Sequence, residues 1–295
     1  MKRLNILVLV LLLASGFSSA QTFLGLSDLS IPSKIAPAYF GPNAFPVPQM
    51  SDGTTSARWK AELYSEHFFG TMSDWRDDYT TSIFARLTIP LFSPRVNLVI
   101  GGPVYEFFHS GPSANAFRRL PYAGDINYHT PGDIYVSTDF QTLVQSRHGI
   151  DMTVRAALKS ASGDRYEYAR YYDSPGYFFD ASFGREFLFS DSMALRVALS
   201  GGFLCWQTDN GRQNDAVMYG LQMLVKSQYV SLRTTWSGYV GWEDMGDRPM
   251  IIKGRLCGHA KGFEPYVEYQ YGIKDYPFHQ ICVGLAYNID ILKKK

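Results

Sequence analysis

Histidine and serine are residue types that can together form a catalytic site, and the chain has six histidines and many serines. A serine nucleophile on a β-strand needs a histidine two positions away, because residues i and i+2 share one face of the strand. No histidine of this chain is followed two positions later by serine. The pattern therefore predicts that the chain is not an enzyme. The histidines are His67, His109, His129, His148, His259 and His279.

Patterns that bind metals or cofactors do not occur either. There is no HExxH helix motif, no Gly-rich phosphate loop and no GxSxG elbow. Asp74, Asp77 and Asp78 are grouped, but their spacing differs from that of an EF-hand calcium loop. We therefore expect no metal and no cofactor. Three widely spaced cysteines without CxxC pairs are interpreted as packing residues, and they are Cys205, Cys257 and Cys282.

Charged residues at alternate positions of apolar runs are the remaining candidates for a site. In the stretch GIDMTVRAALKS, residues 149–160, Met152 and Val154 fall on one face of a strand, and Asp151 and Arg155 fall on the other. We expect the charged face to line a lumen, where charges pair with each other or contact a solute and shape selectivity. The candidates are Glu62, Arg86, Asp133, Asp139, Asp151, Arg155, Asp180, Arg196, Arg233, Lys253, Arg255 and Glu268.

A tyrosine-rich connection is a second candidate site. Residues 160–176 combine tyrosines with scattered charges, a composition that can receive an aromatic solute or a glycan, or that anchors and folds the loop. Both interpretations stay open. The candidate binding residues are Tyr166, Tyr168, Tyr171 and Tyr172.

The N-terminus has the three parts of a secretory signal peptide. Lys2 and Arg3 are followed by the apolar run 6–13 and by small residues at 18–20. We predict that residues 1–20 are cleaved, which changes the formal net charge from +1 to −1 and leaves no basic excess for nucleic acid. Residues 21–57, the N-terminal arm, hold five prolines, too many for a sheet interior, and are predicted to form an extended arm or a plug.

Residues 58–295 contain twelve alternating runs, and these runs predict the strands that position the charged row. A tilted strand needs roughly 9 to 11 residues to cross a bilayer, and most of these runs are that long. Strands of globular proteins average about five or six residues. No 18-residue apolar segment follows the signal peptide, so no transmembrane helix is predicted. The runs are 59–68, 79–92, 96–108, 132–143, 150–159, 177–189, 193–206, 216–226, 229–240, 250–259, 263–271 and 278–289.

The connections between these runs alternate between short and long. Outer-membrane barrels have short periplasmic turns, long extracellular loops and an even strand number, and a soluble sandwich has no reason to sort its loops. We therefore predict an all-β, transmembrane antiparallel up-and-down barrel of about 12 strands, surrounded by the lipid of a Gram-negative outer membrane, with both termini on the short-turn side. A soluble secreted sandwich is the alternative.

The segment GDIYVSTDFQTLVQSRHGIDMTVRAALKSASGDRYEYARYYDSPGYFFDASFG, residues 132–184, resembles outer-membrane barrels of the phenol-degradation meta-pathway family and their Bacteroidota relatives. The string YFGPNAFPVP, residues 39–48, is similar to the same group. The resemblance implies a barrel related to channels for hydrophobic solutes, and it names no catalytic residue and no substrate. The end ILKKK, residues 291–295, departs from the aromatic C-terminus of such barrels.

The sequence thus favours a channel or transporter for a small solute. A non-catalytic surface or scaffold barrel, with its lumen plugged by the N-terminal arm and its long loops binding a partner, is one alternative. A barrel hydrolase that acts on lipid or peptide is the other, and it is disfavoured by the missing His-x-Ser pair.

Overall fold

The computed structural model of the protein contains thirteen antiparallel strands in one sheet. It describes residues 39–71, 76–172, 174–209, 212–242, 246–275 and 277–289. The strands are β1 (Trp59–Gly70), β2 (Asp78–Pro90), β3 (Val96–Ser110), β4 (Ile126–Thr130), β5 (Tyr135–Leu143), β6 (Asp151–Lys159), β7 (Gly176–Ser190), β8 (Met193–Asp209), β9 (Arg212–Ser227), β10 (Val230–Gly241), β11 (Met250–Gly258), β12 (Phe263–Lys274) and β13 (Phe278–Ile289).

The sheet closes on itself, because β1 pairs with β2 on one side and with β13 on the other. Twelve strands complete this ring, which confirms the predicted all-β antiparallel barrel. The short β4 pairs only with the end of β3 and was not predicted, since it lies in the long connection that follows β3. Two short helices, α1 (Pro112–Phe117) and α2 (Gln145–His148), lie between strands. Within the described residues, no helix has the length and apolarity to cross a membrane.

The two rims of the barrel differ in the length of their connections. At one, the short-turn rim, strands are joined through residues 91–95, 191–192 and 228–229. At the other, the long-loop rim, residues 111–125 and 160–175 form the longest connections. In outer-membrane barrels short turns face the periplasm and long loops face outward, and this orientation stays a prediction for the present barrel.

The outer face of the barrel is apolar. Leu63, Leu199 and Val283 expose 59%, 58% and 53% of their surface, although a soluble fold would bury a row of such side chains. In β6, Val154 and Leu158 are exposed, while the charged Asp151 and Lys159 are buried. The alternation in residues 149–160 therefore turns the apolar row to lipid and the charged row to the lumen.

We expect Val154→Arg to impair assembly into lipid, because Val154 lies mid-strand on the outer face and an arginine near the bilayer midplane costs about 2–4 kcal/mol. The measurement is the folded fraction during urea titration in lipid vesicles, read from heat-dependent gel migration. Val154→Leu is the matched control and folds as the parent does. Equal folding of Val154→Arg and the parent would contradict this orientation.

Candidate functional site

The predicted charged residues all face the interior of the barrel. None of the twelve is exposed, and Asp133 alone lies in a connection, directly before β5 at the long-loop rim. The buried members are Glu62, Asp133, Asp151, Asp180, Arg196 and Glu268. The half-buried members are Arg86, Asp139, Arg155, Arg233, Lys253 and Arg255.

Ion pairs cover the wall that β5 to β8 form. Each joins side chains that are largely removed from water, so that removal of one partner would strand a buried charge. The pairs are Arg155 Nε with Asp180 Oδ2 at 2.7 Å, an Arg196 guanidinium nitrogen with Asp151 Oδ2 at 2.9 Å, and Lys159 Nζ with Asp133 Oδ2 at 2.6 Å.

A second network lies on the wall that β1, β2, β11 and β12 form. Arg255 donates from Nε to Glu268 at 2.8 Å, and another of its nitrogens lies 3.3 Å from Glu62. Glu62 also accepts a hydrogen bond of 2.6 Å from the Tyr266 hydroxyl and lies 3.7 Å from Arg86. One carboxylate of β1 thus links this strand to β2, β11 and β12.

Two cations of the predicted row stand outside these networks. Among the described residues, Arg233 and Lys253 make no hydrogen bond and no ion pair within 4.0 Å. The Nε of Arg233 is buried without an acceptor. Asp139 has only one long contact, 3.5 Å from the Ser137 hydroxyl. Among the described residues, these three members of the predicted row therefore have no ion pair.

The described part of the N-terminal arm, residues 39–57, begins at the long-loop rim. Tyr39 packs edge-on against Phe117 of α1, with 5.7 Å between ring centroids. The Gly41 N–H donates to the Ala169 carbonyl at 2.8 Å, within the connection between β6 and β7. The chain therefore enters the lumen between the long loops.

The arm then descends through the lumen to β1. The Ser51 and Thr153 hydroxyl oxygens are 2.9 Å apart in the lower half. Ser56 N–H donates to Asn97 Oδ1 at 2.6 Å beside the short-turn rim. Strand counting predicted both termini at this rim; β1 begins and β13 ends there, but Tyr39 lies at the other rim. An even number of strands determines only the strand ends, and residues 1–38, including the predicted signal peptide, lie outside the described residues.

An apolar core fills the upper half of the lumen, towards the long-loop rim. The arm contributes Phe40, Ala44 and Phe45, which are at most 7% exposed. Val47 extends the packing to a second cluster formed by β1, β11 and β13. The arm thus takes part in the apolar packing of this half of the lumen. The wall residues of the larger core include Phe108, Phe178, Leu204, Trp206, Met218 and Tyr239.

A polar cluster around Glu106 fastens the arm at this level. Glu106 is fully buried, and Arg170 donates to its Oε1 at 2.7 and 3.1 Å. Its Oε2 accepts from Asn43 of the arm at 2.7 Å and from the Tyr171 hydroxyl at 2.9 Å. One carboxylate therefore joins β3, the arm and the connection between β6 and β7.

Glu106 was not among the residues predicted to face the lumen, because a β-bulge precedes it in β3. Simple alternation gives Glu106 the same face as Val96 and Leu98, the lipid side. The pairing of β2 with β3 shifts register between Ile83 and Phe84, opposite Pro103 and Tyr105. One extra residue in β3 exchanges the two faces above that point, so Glu106 turns inward. The signal available was the charge itself, which is costly on a lipid-facing row.

Two of the four predicted loop tyrosines pack against the arm, and the other two contact wall and loop residues. Tyr166 and Tyr172 pack on Phe40 with centroid distances of 6.1 and 5.8 Å, and Tyr171 is 1% exposed. Tyr168 stacks on Tyr128 at 4.9 Å, and the hydrogen bond to Tyr128 raises the pKa of Tyr168 to about 12. In this arrangement Tyr171 holds Glu106, and a role of these tyrosines in binding a solute stays a prediction.

A serine and a histidine do meet, on the outer face and in the reverse order. Ser65 Oγ lies 3.1 Å from His67 Nε2, and His67 Nδ1 lies 3.2 Å from Thr81 Oγ1. The neighbouring Leu63 and Ile83 are exposed on this face. The backbone around Ser65 is paired with β2 and β13, so its N–H groups are not available to stabilise an oxyanion. That the chain is not an enzyme stays a prediction.

The residues considered for metal binding are engaged elsewhere. Asp77 accepts from the Ser113 hydroxyl at 2.6 Å, and these hydrogen bonds lower the pKa of the Asp77 carboxyl. Asp78 pairs with Arg118 at 2.8 Å, and Asp74 lies outside the described residues. No cluster of three or more metal-binding side chains occurs in the described ranges. The three cysteines are free thiols, two of them buried.

Comparison with solved structures brings out membrane barrels. An outer membrane channel from Pseudomonas putida F1 superimposes with a TM-score of 0.52 at 12% sequence identity, over 83% of this chain and 100% of that chain. The protein has an outer-membrane barrel fold. The NanC porin covers 77% and 100% at 11% identity with a TM-score of 0.45. The β domain of the Bordetella autotransporter BrkA covers 79% and 99% at 12% identity with a TM-score of 0.44.

No family model and no curated protein matches the chain in sequence. The likeness to the Pseudomonas channel, at 12% identity, therefore concerns the fold. At that level the outer-membrane barrel predicted from the sequence is confirmed.

We expect Arg170→Ala to lower the stability of this outer-membrane barrel by about 3–5 kcal/mol, because it leaves the Glu106 carboxylate buried without its cation. The measurement is the free energy of unfolding from urea titration in vesicles. Arg170→Met combined with Glu106→Gln removes both charges and recovers much of the loss. Arg165→Ala, at a partly exposed arginine of the same connection, is the control. A loss no larger than that of Arg165→Ala would contradict the role of the pair.

Proposed function

We propose that this barrel is a gated channel or transporter in the outer membrane for a small solute, with charged lumen residues shaping its selectivity. The observation that carries the proposal is the position of the N-terminal arm. Residues 39–57 run through the lumen and contribute Phe40, Ala44 and Phe45 to its apolar core, yet they belong to no strand of the sheet. A segment that is not part of the closed ring can move while the ring stays paired.

The contacts of the arm favour such movement. It is held by an apolar core in its first part and by individual hydrogen bonds to the wall. Each neutral bond is worth about 0.5–1.5 kcal/mol net, and the bond from Asn43 to the Glu106 carboxylate about 1.5–3 kcal/mol. A strand of the wall instead pairs along its whole length with two neighbours, as β1 does with β2 and β13. Local opening begins where contacts are fewest, so the arm opens before the barrel does.

The lower lumen supports passage of a polar solute. Below the apolar core, Arg86, Asp139, Arg233 and Lys253 are half-buried on the inner face and keep surface in contact with the lumen. A lumen lined by charge has a potential that raises the local concentration of solutes of suitable charge. A twelve-stranded barrel is wide enough to admit them once its interior is not filled by side chains.

The Glu106 cluster favours a second candidate, a permanently plugged scaffold barrel whose long loops bind a partner. Arg170 and Glu106 are both buried, and breaking such a pair is costly. This alternative predicts that no current flows through the purified protein under any condition.

We expect a disulfide between Ser51→Cys and Thr153→Cys to reduce conductance in planar bilayers, because it ties the arm to β6 where the two hydroxyl oxygens are 2.9 Å apart. The three native cysteines are replaced by alanine in every variant. Reductant restores the current of the double variant, whereas Ser51→Cys alone responds to neither oxidant nor reductant.

Two results would count against the proposal. Equal current from the oxidised and the reduced double variant would show that the arm is not a gate. No current from the parent or from a chain that lacks residues 21–57 would favour the scaffold.

A further inference from the structure

We propose that the wall formed by β10 and β11 holds a binding site, between Arg233 and Lys253, for a small solute that carries an oxyanion, either a carboxylate or a phosphate. This inference rests on the proposed channel function and adds the class of solute. It comes from a group of three basic side chains of which only one has a partner.

The three basic side chains lie on adjacent strands and on the same face. Arg233 of β10 stands directly opposite Arg255 of β11 in the pairing register. Lys253 precedes Arg255 by two residues, so it projects into the lumen beside both. Like charges that face each other across a strand pair destabilise the sheet unless an anion neutralises them.

Of the three, Arg255 alone has carboxylates of the described residues within ion-pair distance. Glu268 and Glu62 contact its guanidinium at 2.8 and 3.3 Å, so the positive charge of Arg255 is paired with two carboxylates. Glu268 and Glu66 also act electrostatically on Lys253, but neither is within ion-pair distance. Arg233 and Lys253 therefore have no direct ion pair among the described residues of the lumen wall.

The arm places one more carboxylate near this group. Asp52 interacts electrostatically with Arg233, but the two side chains form no ion pair. The Asp52 carboxylate instead accepts hydrogen bonds from the Thr54 N–H and hydroxyl. Displacement of the arm would carry Asp52 away and leave Arg233 more attractive to an anion. Gating and binding of the solute are thereby linked through one residue of the arm.

The chemistry of the two side chains selects an oxyanion. A guanidinium presents paired N–H donors that match two oxygens of a carboxylate or a phosphate, and an ammonium adds a point charge with three donors. The Nε of Arg233 is buried and still without an acceptor. A bound oxyanion would satisfy it and remove the repulsion between Arg233 and Arg255.

The first test is ion selectivity of the full-length protein in planar bilayers under a potassium chloride gradient. We expect the parent to prefer anions, and Arg233→Gln with Lys253→Gln to lower the chloride to potassium permeability ratio about threefold, because two lumen cations are lost. Arg185→Gln, an exposed arginine outside the lumen on β7, removes the same kind of charge and leaves the ratio unchanged. An unchanged ratio in the double variant would overturn the site.

A second test needs no current. Thermal unfolding of the detergent-solubilised protein is followed with sodium benzoate, sodium phosphate or sodium chloride at equal ionic strength. We expect benzoate or phosphate to raise the Tm of the parent and of Arg185→Gln, but not that of the double variant. An equal rise in the Tm of the double variant and of the parent with benzoate or phosphate would refute the site. If the parent conducts but neither anion raises its Tm, the channel is retained and the site is rejected. If the parent does not conduct, and the anions raise the Tm of the parent but not that of the double variant, the site is retained and the channel is rejected.

Discussion

The structure depends on one constraint, that a backbone in hydrocarbon must satisfy all its hydrogen bonds within the protein. The pairing of β1 with β13 meets it by leaving the ring without an edge. Once the ring is closed, each strand has one side for lipid and one for the lumen. The inward position of the predicted charged residues in the strands follows from that division, and so does the largely apolar outer face.

The closed ring also makes the lumen a place where charge is costly unless it is paired. The wall of β5 to β8 and the wall of β1, β2, β11 and β12 meet this cost with ion pairs between neighbouring strands. The N-terminal arm also provides hydrogen-bond partners for buried charges, since Asn43 donates to Glu106 and the Asp52 carbonyl accepts from Arg196. The arm thus contributes polar contacts as well as apolar ones to the interior.

Much of this architecture could be predicted from sequence because a strand has a period of two and a bilayer has a fixed thickness. All twelve runs became strands, and the orientation of residues 149–160 followed from span length and loop length. What escaped prediction depends on contacts between distant segments. The bulge in β3 turned Glu106 inward, β4 formed inside a long connection, and the arm entered the lumen at Tyr39. None of these leaves a periodic pattern, and neither the pairing of Arg255 nor the isolation of Arg233 can be seen without the register.

The course of the arm has a consequence for how the molecule is built. A segment that contacts β2, β3, β6 and β10 and then continues into β1 cannot be inserted after the ring has closed without passing through it lengthwise. If the sheet curls around the arm before β1 pairs with β13, that passage is avoided. In that order of events the arm is a core around which the wall acquires its curvature.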